Sequence, residues 1–309
     1  MLICDLHCDL PDKVIGDVEI DSNNAHWSED RLKKENTYVQ VFASYVDKYA
    51  HDDPFDRVNS LILNFKEKLK KTDIGIVTDY ETLKRNIAGG KNSAILAVEG
   101  GEALGGKLER VKYFYDLGVR FFTITWNHKN QLGQSSSESC ENAHLTELGI
   151  QVIKQLNKYT ITPDVSHLSE AGFWDVIETS TKPVAATHSN SKKLCNVRRN
   201  ITDEQFLAIK ESGGLVGISF VPAFLEKDET KANVVSIIRH IEHFMSLDGE
   251  QTVALGGDFD GISTLPFGIS GVNDVDKIAD ELAKINYQDE IIAKIMGKNI
   301  ENYIKNAFL

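Results

Sequence analysis

Short runs rich in β-branched and aromatic residues recur along the chain, each followed by a pattern with helical spacing. The runs occupy 2–10, 38–46, 93–101, 119–127, 161–169, 183–191, 214–223 and 252–261, eight in all. Between them lie amphipathic stretches such as FDRVNSLILNFKEKLKK, LERVKYFYDLG, LTELGIQVIKQLNK, EAGFWDVIETS, DEQFLAIKESGG and VVSIIRHIEHFMSL. Several of these end in Gly just before the next run, as a helix C-terminus should. A weak extra strand at 74–77 and helices after Val272 stand outside the eight units. Strands alternating with helices predict a parallel sheet, and eight such units in about 250 residues predict a closed (β/α)8 barrel of the TIM type. An open doubly wound sheet is the competitor, weakened by the absence of a Gly-rich phosphate loop after the first strand.

The first run, LICDLHCDL, alternates. Leu2, Cys4, Leu6, Cys8 and Leu10 share one side, and Ile3, Asp5, His7 and Asp9 share the other. At the period of two this predicts an apolar side toward the helices and a side bearing Asp5, His7 and Asp9 toward the barrel axis.

The barrel reading gives the ionisable residues a common position. His7 and Asp9 end the first run, Glu99 the third, His167 the fifth, His188 the sixth, and Asp258 and Asp260 the eighth. The C-terminal ends of the strands are where a β/α barrel carries its chemistry. Alone, an HxD on a strand is a weak signal, and a lone His at a strand end is usually only hydrogen-bonded. Coincidence of register is what points to a shared metal site. Histidines with carboxylates suit zinc or a similar first-row divalent ion, and three His plus two carboxylates exceed what one tetrahedral catalytic zinc needs. The surplus points to two ions, bridged by a carboxylate such as Glu99.

The chain has 309 residues, 41% of them hydrophobic, enough for one large domain or two ordinary ones. No linker, repeat or low-complexity stretch divides it, so a single domain over 1–309 is expected. The net charge of −12 argues against nucleic acid or an anionic membrane as partner. No run approaches a membrane span and no basic-then-apolar leader opens the chain, so a cytoplasmic protein is expected. Cys4, Cys8, Cys140 and Cys195 form no CxxC pair and are expected to be free thiols.

The run DLHCDLP resembles the DxHxDLP opening of the membrane dipeptidase (renal dipeptidase) family of zinc peptidases. So do VEGG at 98–101, DVSHLS at 164–169, THS at 187–189, RRN at 198–200, GGDFDG at 256–261 and the closing MGKNIENYI, in the same order. The resemblance implies an amidohydrolase-like barrel with two Zn2+ ions. His7 and Asp9 would bind one, His167 and His188 the other, and Glu99 would bridge them. It implies that Arg199 grips the C-terminal carboxylate of a dipeptide while Arg198 does not, and that Asp258 is the acid/base, Asp260 being a supporting residue. The implied reaction is hydrolysis of small dipeptides by a metal-bridging hydroxide, with a D residue tolerated at the C-terminal position, in a homodimer. A metal hydrolase acting on a lactone, cyclic amide or N-acyl amino acid is the alternative, and a non-catalytic barrel the second.

One departure stands out. Where the family carries a fourth-strand histidine that polarises the scissile carbonyl, this chain has Trp126, followed by Asn127 and His128 as candidates to contact substrate. The segment QLGQSSSESCEN that follows is also unlike the family's loop. Phe42, Tyr45, Phe220, Val221 and Pro222 are expected to wall the pocket, and His26, His51, His144, His240 and His243 to lie on the surface or in helix packing.

Overall fold

A computed structural model describes residues 1–21, 24–47, 53–138 and 143–308. Its strands are β1 (Leu2–Cys8), β2 (Thr37–Tyr45), β3 (Gly75–Ile76), β4 (Ser93–Glu99), β5 (Val119–Thr123), β6 (Thr162–Asp164), β7 (Ala185–Ala186), β8 (Leu215–Ile218) and β9 (Val253–Leu255). All pair in parallel in the order β2-β1-β9-β8-β7-β6-β5-β4, and β2 also pairs with β4, which closes the ring. The eight-stranded barrel is therefore present. The weak strand at 74–77 becomes β3, which pairs only with Ser93 and Ala94, ahead of the point where β4 begins to pair with β5 at Leu96.

The helices follow the amphipathic stretches, and their starts carry local signals. Asp53, Asp79, Thr146 and Ser169 each accept a backbone N–H of the helix they open, and Thr202 and Asn233 form reciprocal capping boxes. Gly118 ends its helix in the left-handed region, at φ 100°, as a C-terminal Gly should.

The strands are shorter than the runs that announce them. The runs at 119–127, 161–169, 183–191 and 252–261 yield ladders only to Thr123, Asp164, Ala186 and Leu255. Past Asp164, Ala186 and Leu255 a side chain captures the backbone: Asp164 Oδ1 accepts from both Ser166 N and Thr187 N, and Asp5 Oδ2 from Gly257 N. His167 and His188 thus sit in the loops just past β6 and β7, and Asp258 just past β9.

The alternation in β1 is broken. Asp5 pairs with Gln40 and Cys8 with Phe42, so two residues of β1 oppose the single Val41. Such a bulge resets which side the following residues face. Cys4 and Leu6 pack in an inner cluster with Val39, Val41, Ile95, Ala97 and Phe121, whereas Ile3 and Cys8 join the outer layer under the helices. The expectation that Cys4 and Leu6 face the helices and that Asp5 shares a side with His7 is corrected: Cys4 and Leu6 face the inner cluster, and Asp5 is in register with Leu255, an outer-layer residue.

The inner cluster continues into the C-terminal helix (Asn299–Ala307), through Ile300, Tyr303 and Ile304. The Tyr303 ring stacks on Phe121, and its hydroxyl meets Thr162 Oγ1 at 2.8 Å. These contacts plug the end of the barrel opposite Glu99. Cys4, Cys8 and Cys195 are free and buried, and Cys140 lies outside the described residues.

Replacing Tyr303 with Phe strands a buried threonine hydroxyl and is expected to lower stability by about 1–2 kcal/mol. Urea denaturation measures this, and an unchanged midpoint would show that the bond contributes nothing.

Candidate metal centre

The site is assembled by backbone capture. Asp5 accepts from His7 N at 2.9 Å, Gly257 N at 2.7 Å and Gln40 Nε2 at 2.8 Å, which pins the bulge and draws the turn after β9 against β1. Asp258 N then donates to His7 O, and Asp9 N to Phe259 O. Gly261 completes the turn, since a Cβ there would overlap the carboxylates of both Asp9 and Asp258. His167, Asp258 and Asp260 all adopt positive φ (68°, 58° and 67°), a conformation that side-chain-bearing residues rarely take.

Six side chains converge at the C-terminal mouth of the barrel. The two oxygens of Glu99 face different partners: Oε2 lies 3.6 Å from His7 Nε2, and Oε1 lies 3.1 Å from His167 Nε2 and 3.6 Å from His188 Nε2. Asp9 Oδ2 is 3.4 Å from His7 Nε2. Ligand atoms of His7, Glu99 and His188 lie within 4.8 Å of one another, and so do those of His7, Asp9 and Asp258. All six residues are buried.

The outer hydrogen bonds fix which ring nitrogen faces inward. His188 Nδ1 lies 2.9 Å and His7 Nδ1 3.4 Å from Thr187 Oγ1, and His167 Nδ1 lies 3.0 Å from Asn127 Oδ1. Each Nδ1 therefore carries a proton, and in the neutral ring Nε2 carries a lone pair. The His167 and His188 Nε2 atoms then confront each other at 2.9 Å, two acceptors with no proton between them. His7 Nε2, Asp9 Oδ1 and Glu99 Oε1 have no hydrogen-bond partner although buried. Lone pairs converging on one point, with orphaned acceptors around it, are a donor set that divalent cations satisfy.

Burial and the close charges shift each of these groups. Burial would lower His7, but the Glu99 and Asp9 carboxylates outweigh it and hold the imidazole well above its usual range. Burial would raise Glu99, yet the neighbouring His7 and His167 imidazoles keep it well below the ordinary carboxylate range. Burial pushes Asp9 up to about 8, against the pull of His7, and pushes Asp258 up to about 6. Burial, with Arg199 nearby, drops His167 to about 4 and leaves His188 well below its normal value. His167 and His188 are thus neutral and Glu99 ionised, as metal binding requires, while the proton that the carboxylates hold on His7 is one a cation would displace.

A cavity of about 350 Å³ opens onto this cluster, lined among others by Tyr45, Trp126, Asn127, Arg199, Phe224 and Asp258. Arg199 reaches it, with Nη2 donating to His188 O at 3.4 Å and Nε unpartnered, whereas Arg198 is exposed and does not line it. Tyr45 and Val221 wall it as expected. Phe42 and Phe220 do not: Phe42 packs on Trp27 and Phe65, and Phe220 on Phe259. Pro222 opens the short helix Pro222–Leu225 instead.

Asn127 lines the cavity but spends its oxygen on His167. His128 is not part of the wall, and its ring packs edge-on against Trp126. Asp260 accepts from His26 N and Trp27 N and holds that segment over the turn. His144 pairs with Asp175, His243 with Asp203, and buried His240 accepts from Ser191 N. His51 lies outside the described residues. Sequence reasoning missed Thr187, Asp164 and the rim residue Lys13; the first two announce themselves only as neighbours of the site histidines in DVSH and TH.

Three comparisons bear on this geometry. A family model described as membrane dipeptidase (peptidase family M19) matches residues 1–307. An "uncharacterized protein in pqqA 5′ region" of Klebsiella pneumoniae is 36% identical over 219 residues, 68% of this chain and 80% of that protein. The solved structure of dipeptidase AC, a metallopeptidase, superposes with a TM-score of 0.90 at 26% identity, covering 100% of this chain and 99% of that one. A metallopeptidase from Rhodobacter sphaeroides, solved with a phosphinate mimic of the dipeptide L-Ala-D-Ala, gives 0.89 at 24% identity over 99% of each chain, a likeness of fold. Despite the family's name, no helix among the described residues is long and apolar enough to cross a membrane. A closed parallel barrel, a histidine and carboxylate cluster at its mouth and a family match from the first strand to the last helix together mean that the chain belongs to the membrane dipeptidase family, peptidase family M19.

Proposed function

We propose that the chain hydrolyses the peptide bond of small dipeptides with the help of two divalent ions, zinc being the best match to the donor set. The observation that carries the reading is the divided Glu99 carboxylate, one oxygen toward His7 and the other toward His167 and His188. His7 and Asp9 would hold one ion, His167 and His188 the other, and Glu99 would bridge. When bound, such ions lower the pKa of a water and polarise a carbonyl.

The remaining work falls to the chain. Asp258, buried beside Asp9 and raised to about 6, is suited to accept a proton from the attacking water and return it to the leaving amine. Arg199, with an unpartnered Nε on the cavity, is suited to take the substrate carboxylate in its planar fork. Trp126, Tyr45 and Phe224 line the cavity with aromatic surface. Its volume, near the lower end for small-molecule sites, supports a substrate of about two residues. Asn127 orients His167 in this reading, and His128 has no contact with substrate.

Two outcomes are expected. Adding zinc to chelated protein raises the thermal midpoint, because ions that bind only the folded state stabilise it by about 4 kcal/mol at a thousandfold excess over Kd. Glu99→Gln largely removes that rise and the dipeptidase activity with it; a midpoint indifferent to zinc would sink the metal site. Arg199→Ala is expected to cut kcat/KM for dipeptides by about ten- to a hundredfold, the worth of a charged hydrogen bond, while leaving dipeptide amides nearly unaffected. Equal loss on both substrates would favour a hydrolase that does not read the carboxylate. Run with L,L and L,D dipeptides, the same assay tests whether a D residue is accepted.

A further inference from the structure

Resting on the two-ion reading, we infer that Thr187 is the positioning residue that ties the two metal positions together, its single hydroxyl orienting one histidine of each. The His7 and His188 rings lie side by side, with centroids 3.8 Å apart and planes inclined by 35°, so that both Nδ1 atoms turn to the same oxygen. The distances are 3.4 Å from His7 and 2.9 Å from His188. His7 belongs to the position shared with Asp9, and His188 to the one shared with His167.

A threonine hydroxyl has one proton and two lone pairs. Its proton is committed: Thr187 Oγ1 donates to Asp164 Oδ2 at 2.7 Å, and that carboxylate only accepts. Asp164 in turn has no freedom to move. Thr123 Oγ1 donates to the same oxygen at 2.6 Å, and Ser166 N and Thr187 N occupy the other. Ser166 Oγ lies 3.4 Å away, at the edge of hydrogen-bonding range. With its proton directed at Asp164, the hydroxyl offers lone pairs to both imidazoles, so each must present N–H at Nδ1 and a lone pair at Nε2. His167 is outside this arrangement, held by Asn127. One residue that neither binds metal nor touches substrate thus sets the tautomer of a ligand at both positions, and the two should load as a unit.

The test is calorimetric titration of chelated full-length protein with Zn2+, comparing the parent with Thr187→Val, Thr187→Ser and Thr123→Val. The parent is expected to take up two ions. Thr187→Val weakens both binding events by about ten- to a hundredfold, the usual loss when a metal ligand's hydrogen-bonded support is removed. Thr187→Ser restores them to within about threefold. Thr123→Val deprives Asp164 of its other hydroxyl but touches neither ring, and it stays near the parent. Unchanged affinities in Thr187→Val, weakening of only one event, or equal loss in Thr123→Val would each overturn the inference. A parent that binds a single ion would instead contradict the two-ion reading, and the inference with it. Nitrogen-15 spectra of histidine-labelled, zinc-loaded parent need no variant: protonated Nδ1 at His7 and His188 is expected, and the opposite tautomer at either one refutes it.

Discussion

A carboxylate buried in the wall of a barrel is tolerable only when its lone pairs are engaged, and in Asp5 and Asp164 that requirement shapes the whole site. Both turn from the ladder and take backbone N–H groups as partners. Asp5 joins β1 to the turn after β9, and Asp164 joins β6 to the turn after β7. Between them they fix His7, Asp258, His167 and His188, which come from four places in the chain separated by as much as most of its length. Removing either carboxylate would leave two or more buried donors without partners, at about 1–3 kcal/mol each.

This anchoring explains why the site sustains unfavourable backbone. His167, Asp258 and Asp260 lie in the left-handed region, at a cost of about 1–3 kcal/mol each. Each is over-determined by neighbours: His167 O accepts from Ser136 N at 2.7 Å and Ser135 Oγ at 3.1 Å, and Asp260 is tied to His26 and Trp27. Close backbone approach does the same on the other side. A side chain at Gly217 or Gly256 would collide with Thr187 O, so these two glycines let β8 and the turn after β9 close upon the residue that supports His188. The strain is held by packing that cannot relax without dismantling the barrel's mouth.

Much of this was legible because periodicity and register are local properties of a sequence. The eight units, their order, the glycines that close several helices and the convergence of His7, Asp9, Glu99, His167, His188 and Asp258 all follow from spacing plus the geometry of a parallel barrel. What escaped depends on interactions across the sheet. The bulge in β1 appears only in how Asp5 and Cys8 pair with β2, so strict alternation placed Asp5 on the wrong side. Strand lengths were overestimated because captures such as Thr187 N by Asp164 and Gly257 N by Asp5 join residues of different strands. Asn127 and His128 stand side by side in the chain, and only the loop's course decides that the first turns to His167 and the second to Trp126. Thr187 was invisible as a functional residue because its role lies in two bonds to residues distant from each other in sequence.

The distribution of charge across the cavity gives the proposed chemistry its direction. Asp9, Glu99 and Asp258 bring three carboxyl groups to the cavity, which cations would hold ionised and offset, and Arg199 lines the same cavity. In a chain with a net charge of −12, a lone guanidinium inside an acidic mouth is a specific attractor rather than part of a general basic field. A free carboxylate near the bond to be cut can satisfy it, and the neutral amide of a longer peptide cannot. Confining the substrate to two residues then requires no lid. It needs only a fixed distance between the guanidinium and the cluster, and that distance is set by the short link from His188 to Arg199 and by the bond from Arg199 Nη2 back to His188 O. In the proposed reading, the same histidine that would hold a metal ion also anchors the guanidinium that would measure the substrate.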